Sequence, residues 1–360
     1  IVPQDISTGI FFTCDSSHTQ RTLVLMDLSN LLGGLSQQQF LQEYWHKKPL
    51  LIPNAIPNFT GPLSPEELAG LACEEEVESS IMLQHNNLHQ NSDPQWEFRH
   101  GHFQEQDFAK LPETHWTLLV QDVEKHVPEL EQLLFGFHFI PHWRIDDLMI
   151  SYAPEGGSVG PHADAYDVFL LQGQGQRKWQ ISEQPLQRDH LLPDLDLEIL
   201  SHFESEQEWV LNPGDMLYLP PNVLHHGVAL NECMTYSIGF RAPSHADLLT
   251  SFVDDHISEL NDNLRYKDPN LSSELNPGEI SSAAINQVQE ILLSQFKDKS
   301  KVADWFGRFI TDYLNNNDSL EEHNLSYSEF LDEFKASGFI RRAASIRANY
   351  LIAQNAQLNL

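Results

Sequence analysis

The chain has 360 residues, enough for two or three domains, and its 52 acidic and 21 basic residues give a formal net charge of −31 at pH 7. An excess of negative charge of this size repels bare nucleic acid and attracts basic protein surfaces, although it also increases solubility. Three widely spaced cysteines argue against a disulfide framework and indicate a reducing, cytoplasmic compartment. No apolar run reaches the roughly 18 residues of a membrane span, so we predict no membrane association.

The N-terminal part begins with a segment that fits no structural pattern. Residues 1–25 lack periodicity and precede Met26-Asp-Leu-Ser, which would be a natural start, so we expect a leader or a vector-derived segment without function. Ser36 and Ser64 then each begin a predicted helix, the second with Pro65 at its first helical position.

A polar region rich in histidine, asparagine and glutamine follows, from His85 to His115. Its histidines lack the spacing of a metal site, so a solvated loop or edge hairpin is favoured over metal binding. Residues 144–151 then predict a strand that carries carboxylates ahead of an apolar run. Asp147 and Met149 share one face of that strand.

A glycine-rich stretch, 156–160, leads into Pro-His-Ala-Asp at 161–164. Glycines there permit a tight backbone path into the motif. An apolar run over 167–172, a Gly-Gln-Gly turn at 173–175 and a second run over 177–181 predict a hairpin immediately after it.

Three more short strands are predicted at 208–211, 216–219 and 234–240, and His225 and His226 lie between the last two. An Asn-Pro-Gly-Asp turn joins the first pair. Short strands joined by glycine and proline turns, without helices between them, predict a mostly β core with α elements, folded as an antiparallel sandwich or small barrel.

His162, Asp164 and His225 are the candidate metal ligands. A histidine and a carboxylate two residues apart on a strand project from one face, and a second histidine from another strand can complete the set. Two histidines and one carboxylate form the facial triad of non-heme Fe(II) oxygenases. A polar strand end gives the same spacing by chance, but the flanking hairpin and turns favour the metal site.

At this point the motifs carry a family resemblance. P-H-A-D, G-Q-G-Q-R-K-W, N-P-G-D-M-L-Y-L-P-P, H-H-G-V and Y-S-I-G-F-R-A-P, with Y-W-H-K-K-P-L-L-I upstream, resemble JmjC-type, cupin-fold 2-oxoglutarate oxygenases. Within that group they look like the bacterial ribosomal oxygenases. The resemblance runs from Leu35 to Pro243 and more loosely to the C-terminus.

The resemblance implies a domain order. A double-stranded β-helix, the cupin or JmjC barrel, would occupy 26–243, a helical dimerisation segment 244–295 and a winged-helix-like domain 296–360. A homodimer is therefore expected. The C-terminal part offers few positive charges, Arg341, Arg342 and Arg347 among them, so we predict no direct nucleic-acid binding.

The resemblance also implies Fe(II), 2-oxoglutarate as cosubstrate and O2, with release of succinate and CO2. Arg177 is favoured over Lys178 for the distal carboxylate of 2-oxoglutarate, since only one of the two can face the barrel and a guanidinium grips a carboxylate bidentately. The P-P-x-x-x-H pattern selects His225 as the metal ligand. His226 is then expected to support a ligand or to line the substrate path.

By resemblance to ribosomal oxygenases that hydroxylate arginine, we expect Asp147, Met149 and Ser237 to form the substrate pocket. The alternative is a surface carboxylate at Asp147 and an ordinary core methionine. Two function classes stay open: a hydroxylase of an arginine or a histidine in a large-subunit ribosomal protein, and a non-catalytic cupin binding module or a metal-dependent sugar or small-acid enzyme. Arg177 favours the oxygenase, because a silent module needs no carboxylate clamp.

Overall fold

The structure is a computed structural model. It describes residues 26–85, 95–186, 188–193, 195, 197–240, 242–261, 263–269, 271, 278–313, 331 and 335. The segment predicted as a leader, 1–25, lies outside the described residues. The residues after Tyr313, which belong to the predicted winged-helix-like domain, also lie outside them, apart from Leu331 and Lys335, and the domain boundaries stay predictions.

In chain order the strands are β1 (Leu50–Ile52), β2 (Ser79–His85), β3 (Gln95–His100), β4 (Trp116–Val120), β5 (Leu148–Ala153), β6 (Asp167–Gln174), β7 (Arg177–Ser182), β8 (Gln207–Leu211), β9 (Met216–Leu219), β10 (Leu224–Ala229) and β11 (Cys233–Phe240). The helices are α1 (Gln37–Glu43), α2 (Pro65–Leu71), α3 (Glu105–Phe108), α4 (Val123–His126), α5 (Glu131–Phe135), α6 (His245–Ile257), α7 (Ser282–Ser294) and α8 (Lys299–Tyr313). Short 3-10 turns cover Pro128–Leu130, His142–Arg144 and Arg188–His190.

The strands form two antiparallel sheets. The larger has the order β1-β9-β6-β11-β5-β4-β2-β3 and the smaller the order β10-β7-β8. A bridge between His162 and His225 ties the segment before β6 to β10. The predicted mostly β, antiparallel barrel is therefore confirmed.

Alternation along β11 divides the larger sheet into two faces. Met234, Tyr236 and Ile238 point into the main core, whereas Ser237 is paired with Leu170, which packs against Trp179 and Ile181 of the smaller sheet. Directly paired residues share a face. Ser237 therefore lies on the face that looks into the space between the sheets.

The main core covers the other face of the larger sheet. It is rich in aromatic rings, and Phe40 of α1 contacts Tyr218 edge-on at 4.9 Å and Phe169 at 5.4 Å. Phe137 lies 4.8 Å from Phe169. Burial of such a side chain contributes roughly 1.5–3 kcal/mol, so this cluster fixes the strands that carry the site.

The two predicted helix starts are confirmed. The Ser36 Oγ accepts a hydrogen bond from the Gln39 N–H at 3.2 Å, and the Ser64 Oγ accepts one from the Glu67 N–H at 3.2 Å. In both helices the side chain of that third residue, Gln39 or Glu67, also accepts a hydrogen bond from the backbone N–H of the serine, which completes a capping box.

The strand predicted over 144–151 begins later than expected, at Leu148. His142–Arg144 forms a 3-10 turn, and the buried carboxylate of Glu124 accepts the Leu148 N–H at 3.0 Å. Asp147 consequently lies in the approach to β5 rather than within it. Within the polar histidine region, His85 ends β2 and Gln95–His100 forms β3, and the two strands pair at the edge of the larger sheet, as predicted; residues 86–94 lie outside the described residues.

The C-terminal helices pack on one another. Phe252 of α6 contacts Trp305 of α8 edge-on at 5.2 Å, and Arg308 binds Asp255 at 2.8 Å. Both contacts cross the predicted domain boundary at 295. In the described part of the chain, no helix combines the length and apolar character needed to cross a membrane.

Candidate metal centre and cosubstrate site

His162, Asp164 and His225 converge at one end of the space between the two sheets. Asp164 Oδ1 lies 3.8 Å from His162 Nε2, and Asp164 Oδ2 lies 3.6 Å from His225 Nε2. Among the described residues this is the group whose ligand atoms, all within 4.8 Å of one another, can hold a metal ion. His162 and Asp164 each keep 21% of their side chains exposed, which leaves an approach for further ligands.

Backbone carbonyls orient both imidazoles. His162 Nδ1 lies 2.9 Å from the Gly160 carbonyl oxygen, and His225 Nδ1 lies 3.0 Å from that of Val223. A carbonyl only accepts, so the proton belongs on Nδ1 and the Nε2 lone pair of each ring points towards Asp164. This is the tautomer that binding of a metal through Nε2 requires.

His225 is held as a neutral ring. Burial, with a smaller contribution from His162, lowers its pKa from 6.5 to about 4. The Trp179 ring lies 5.9 Å from the imidazole and helps to keep water away. A neutral imidazole at neutral pH can bind a cation without first losing a proton.

Two special backbone positions shape the metal-binding loop. Gly160 has φ +84°, and a Cβ there would lie 2.7 Å from Ile199. Asn222, with φ 66°, donates its backbone N–H to the Asp164 carbonyl at 2.7 Å. The Asn222 bond therefore ties the segment just after His162, which carries Asp164, to the segment before His225.

Arg177 lies at the opposite end of β10 from the metal site, beside Ala229 in the pairing of β7 with β10. It is only 3% exposed. Its Nη2 reaches Cys233 Sγ at 3.6 Å, a weak contact, and its buried Nε has no hydrogen-bond partner among the described residues. A buried guanidinium in this state fits a carboxylate ligand, as the distal end of 2-oxoglutarate would supply.

Lys178, the alternative to Arg177, and His226, the alternative to His225, each lie on the opposite face of their strand. Lys178 is partly exposed, whereas its neighbours Arg177 and Trp179 are buried. His226 alternates with His225 and packs its ring edge-on against Phe203 at 6.0 Å. Burial, followed by repulsion from His162, lowers the pKa of His226 to about 4.

The three predicted substrate residues lie close to one another, along β5 and its approach and on the paired strand β11. Met149 is paired with Ser237, which is 6% exposed. The Gly239 N–H donates to the Asp147 carbonyl at 3.1 Å. A Cβ at Gly239 would meet Asp147 Oδ1 at 3.0 Å and the Tyr166 ring at 3.8 Å, so these two side chains flank the bare backbone of Gly239.

Sequence reasoning missed Tyr166 and a buried polar cluster around Asp167, the first residue of β6. Tyr218 donates its hydroxyl to Asp167 Oδ1 at 2.5 Å, and His46 Nε2 lies 3.2 Å from Oδ2. Arg144 is 3.7 Å away. Burial, the largest effect, raises the pKa of Asp167. The available signal was a carboxylate that opens an otherwise apolar strand next to the metal motif.

Comparisons with known proteins agree with this geometry. The JmjC domain family matches residues 132–248. The chain is 39% identical over 278 residues to the ribosomal protein uL16 3-hydroxylase of Escherichia coli, covering 77% of this chain and 72% of that protein. It is 37% identical to a probable ribosomal oxygenase of Haemophilus influenzae, over 72% of this chain and 64% of the relative.

Solved structures of the E. coli ribosomal oxygenase YcfD have the same fold. An X-ray structure aligns with a TM-score of 0.75 and 35% identity over 87% of this chain and 81% of that one. A complex of YcfD with cobalt and 2-oxoglutarate aligns with a TM-score of 0.71 and 34% identity, over 84% and 78%. JmjC oxygenases use Fe(II), 2-oxoglutarate and O2, and the triad with Arg177 fits that set. The chain belongs to the JmjC-domain ribosomal oxygenases.

Proposed function

We propose that this chain is a 2-oxoglutarate- and Fe(II)-dependent protein hydroxylase that acts on an arginine of the large-subunit ribosomal protein uL16. The observation that carries the oxygenase part is the combination of an oriented two-histidine, one-carboxylate cluster with a buried guanidinium at the two ends of one interior space. Within the described part of the chain, the Nε of that guanidinium has no hydrogen-bond partner. The substrate is proposed from the E. coli relative, which is a ribosomal protein uL16 3-hydroxylase.

His162, Asp164 and His225 would hold Fe(II) on one side and leave its other positions open. Bound Fe(II), with 2-oxoglutarate and O2, supplies the oxidation that converts a substrate C–H into C–OH while 2-oxoglutarate becomes succinate and CO2. The protein positions the reactants: backbone carbonyls fix both imidazoles, and Trp179 and the surrounding apolar side chains exclude water.

Arg177 would bind the distal carboxylate of 2-oxoglutarate. Its burial makes the guanidinium a strong and selective partner for an anion. The guanidinium also makes a cation–π contact with the Trp179 ring, at 5.8 Å, which helps to hold its orientation. Thr235 and Gln172, hydrogen-bonded to each other at 3.2 Å, add polar groups on the same interior face.

For the side chain that is hydroxylated, we favour arginine. Asp147 would pair with its guanidinium, Met149 would pack on its methylene stem and Ser237 would offer a hydrogen bond. The ring of Tyr166, beside Asp147, would form a further side of this pocket. The net charge of −31 supports a basic protein partner and disfavours direct nucleic-acid binding. A ribosomal substrate also supports a cytoplasmic site of action.

A homodimer is part of the proposal. Helices α6 and α7 each expose an apolar stripe at helical spacing, with Leu249 55% and Ile257 58% exposed on α6, and Ile285 57% exposed on α7. Apolar stripes of this kind are typical of helices that pack against another chain. They support the dimerisation role expected for 244–295.

The test is turnover of recombinant uL16 with Fe(II) and 2-oxoglutarate. We expect succinate formation and a mass gain of one oxygen on an arginine peptide, both abolished in His162→Ala. Asp147→Asn should lower uL16 hydroxylation at least tenfold and leave uncoupled 2-oxoglutarate consumption in place, whereas the matched control Asp146→Asn should behave like the unmodified enzyme.

Three outcomes would contradict the proposal at different levels. A mass gain on a histidine peptide would mean that the chain is a histidyl hydroxylase. Equal activity of the two aspartate variants would remove Asp147 from the substrate pocket. Absence of succinate with any ribosomal protein, together with an unaffected His162→Ala variant, would favour a non-catalytic cupin module.

A further inference from the structure

A cavity of about 240 Å³ lies immediately behind the metal-binding segments and has no part in holding the metal or 2-oxoglutarate. His226 and Pro161, each the neighbour of a candidate ligand, form part of its wall. His226 reaches it because successive side chains of β10 point to opposite faces. We call this cavity the His226 pocket.

The His226 pocket is polar without being charged. Its hydrogen-bonding groups come from Gln84, Gln180, Ser201, Ser205 and His226. Its remaining surface is apolar and partly aromatic, with the rings of Trp96 and Phe203. Among the described residues, no carboxylate, lysine or arginine lines it.

This lining selects by chemistry. A lysine, arginine or carboxylate placed there would lose water without meeting a charged group among the lining residues that the structure describes, which is costly. An amide or a polar aromatic ring, in contrast, can use both the aromatic faces and the donors and acceptors. The volume is below the roughly 300–1,000 Å³ of most small-molecule pockets and suits a single side chain.

We propose that the His226 pocket binds one uncharged, flat side chain of the protein substrate, an amide or a polar aromatic ring, close in sequence to the residue that is hydroxylated. The inference rests on the proposed function and deepens it. General attraction between an acidic enzyme and a basic ribosomal protein brings the two together but does not choose which basic residue reaches the metal. A neutral pocket near the metal site can make that choice, because it admits an uncharged side chain and rejects a basic one, and so sets which residue of the substrate reaches the metal.

The experiment uses synthetic uL16 peptides centred on the hydroxylated residue, in which each neighbour in turn is replaced by lysine. We expect one neighbouring position at which lysine raises KM roughly tenfold or more with little change in kcat, because the loss is in binding. Elsewhere lysine should be neutral or favourable, given the acidic enzyme.

The enzyme side of the test places a carboxylate in the pocket. Gln84→Glu should restore much of the affinity for the lysine peptide and weaken binding of the original peptide. Gln84 is preferable to Gln180, whose amide already donates to Glu208 at 3.2 Å. The matched control is Gln95→Glu, an exposed residue of the same hairpin that does not line the cavity.

The outcomes separate the two proposals. If the unmodified enzyme hydroxylates uL16 but no neighbouring position discriminates against lysine, or if Gln84→Glu and Gln95→Glu behave alike, the pocket does not bind substrate and the proposed function stands. If a free amide or an aromatic small molecule binds the unmodified enzyme but not Gln84→Glu, and does not compete with the peptide, the pocket serves a free ligand instead. Failure of uL16 turnover itself would overturn both.

Discussion

Gly227 of β10 lies directly opposite Trp179 of β7, and a Cβ atom at residue 227 would come within 2.7 Å of the Trp179 ring. The same ring is 5.9 Å from the imidazole of His225 and 5.8 Å from the guanidinium of Arg177. Trp179 thus lies between His225 of the proposed metal site and Arg177 of the proposed cosubstrate site, and the absence of a side chain at Gly227 gives its ring room.

Gly227→Ala should therefore damage the site through Trp179. We expect a loss of about 1–3 kcal/mol in the free energy of unfolding from overpacking, together with weaker binding of Co(II) as the ring moves against His225. Urea unfolding and metal titration measure the two effects. Gly70→Ala is the control, since no atom of the described residues lies within 4 Å of its added Cβ, and helix propensity should make it stabilising by about 0.5–1 kcal/mol. Equal behaviour of the two variants would show that Trp179 has room to spare.

Arg177→Lys should raise the KM for 2-oxoglutarate. Lysine keeps the positive charge but loses the planar fork, and loss of a charge-assisted hydrogen bond of about 1.5–3 kcal/mol corresponds to roughly 10- to 100-fold in affinity. Initial rates at varied 2-oxoglutarate provide the measurement. Lys178→Ala, one residue away on the other face, should leave KM unchanged, and a larger effect there than at Arg177 would reverse the assignment.

The stability of the metal-free protein should depend on pH through His225. Its pKa is lowered by burial from 6.5 to about 4. Between these two pH values the unfolded state therefore binds a proton at His225 and the folded state does not. The contribution is fully present above the unfolded pKa and is lost as pH falls towards the folded one, amounting to about 3 kcal/mol at most.

Urea unfolding in the presence of EDTA between about pH 4 and pH 7.5 tests this, because the slope lies between the folded pKa of about 4 and the unfolded value of 6.5 and the stability levels off above it. His225→Asn should show a shallower decline in stability on acidification than the unmodified chain. His226, whose pKa is also lowered, accounts for part of the slope that remains. Parallel curves for the two proteins would rule out a buried neutral His225.

The exposed stripe on α6 should hold two copies of the chain together. Leu249→Asp combined with Ile257→Asp places two charges on that stripe and should convert a dimer into a monomer in light scattering after gel filtration. Phe135→Asp, at a side chain 66% exposed on α5, is the matched control and should leave the dimer intact. A monomeric unmodified chain would contradict the proposal outright.

Much of the barrel follows from local sequence rules. Glycine and proline turns delimit β6 to β11, and strand alternation separates Arg177 from Lys178 and His225 from His226. These features depend on residues near one another in the chain, so periodicity is enough to find them. The start of β5 was missed because the bond from Leu148 to Glu124 joins residues that only the tertiary fold brings together.

The cluster around Asp167 marks the limit of such reasoning. A single carboxylate at a strand end is typical of solvated polarity, and nothing local indicates that it is fully buried. Its partners Tyr218, His46 and Arg144 come from three other parts of the chain. The His226 pocket is assembled in the same non-local way, from the β2–β3 hairpin and the segment before β8.

The bridge between His162 and His225 has a further meaning. Each residue donates its backbone N–H to the carbonyl of the other, at 3.0 and 2.8 Å, so the distance between the two metal-binding rings is a property of the main chain. The frame is preorganised, and an arriving cation has little conformational entropy to remove. We therefore expect Fe(II) at the proposed site to be lost and reloaded without refolding of the protein around it.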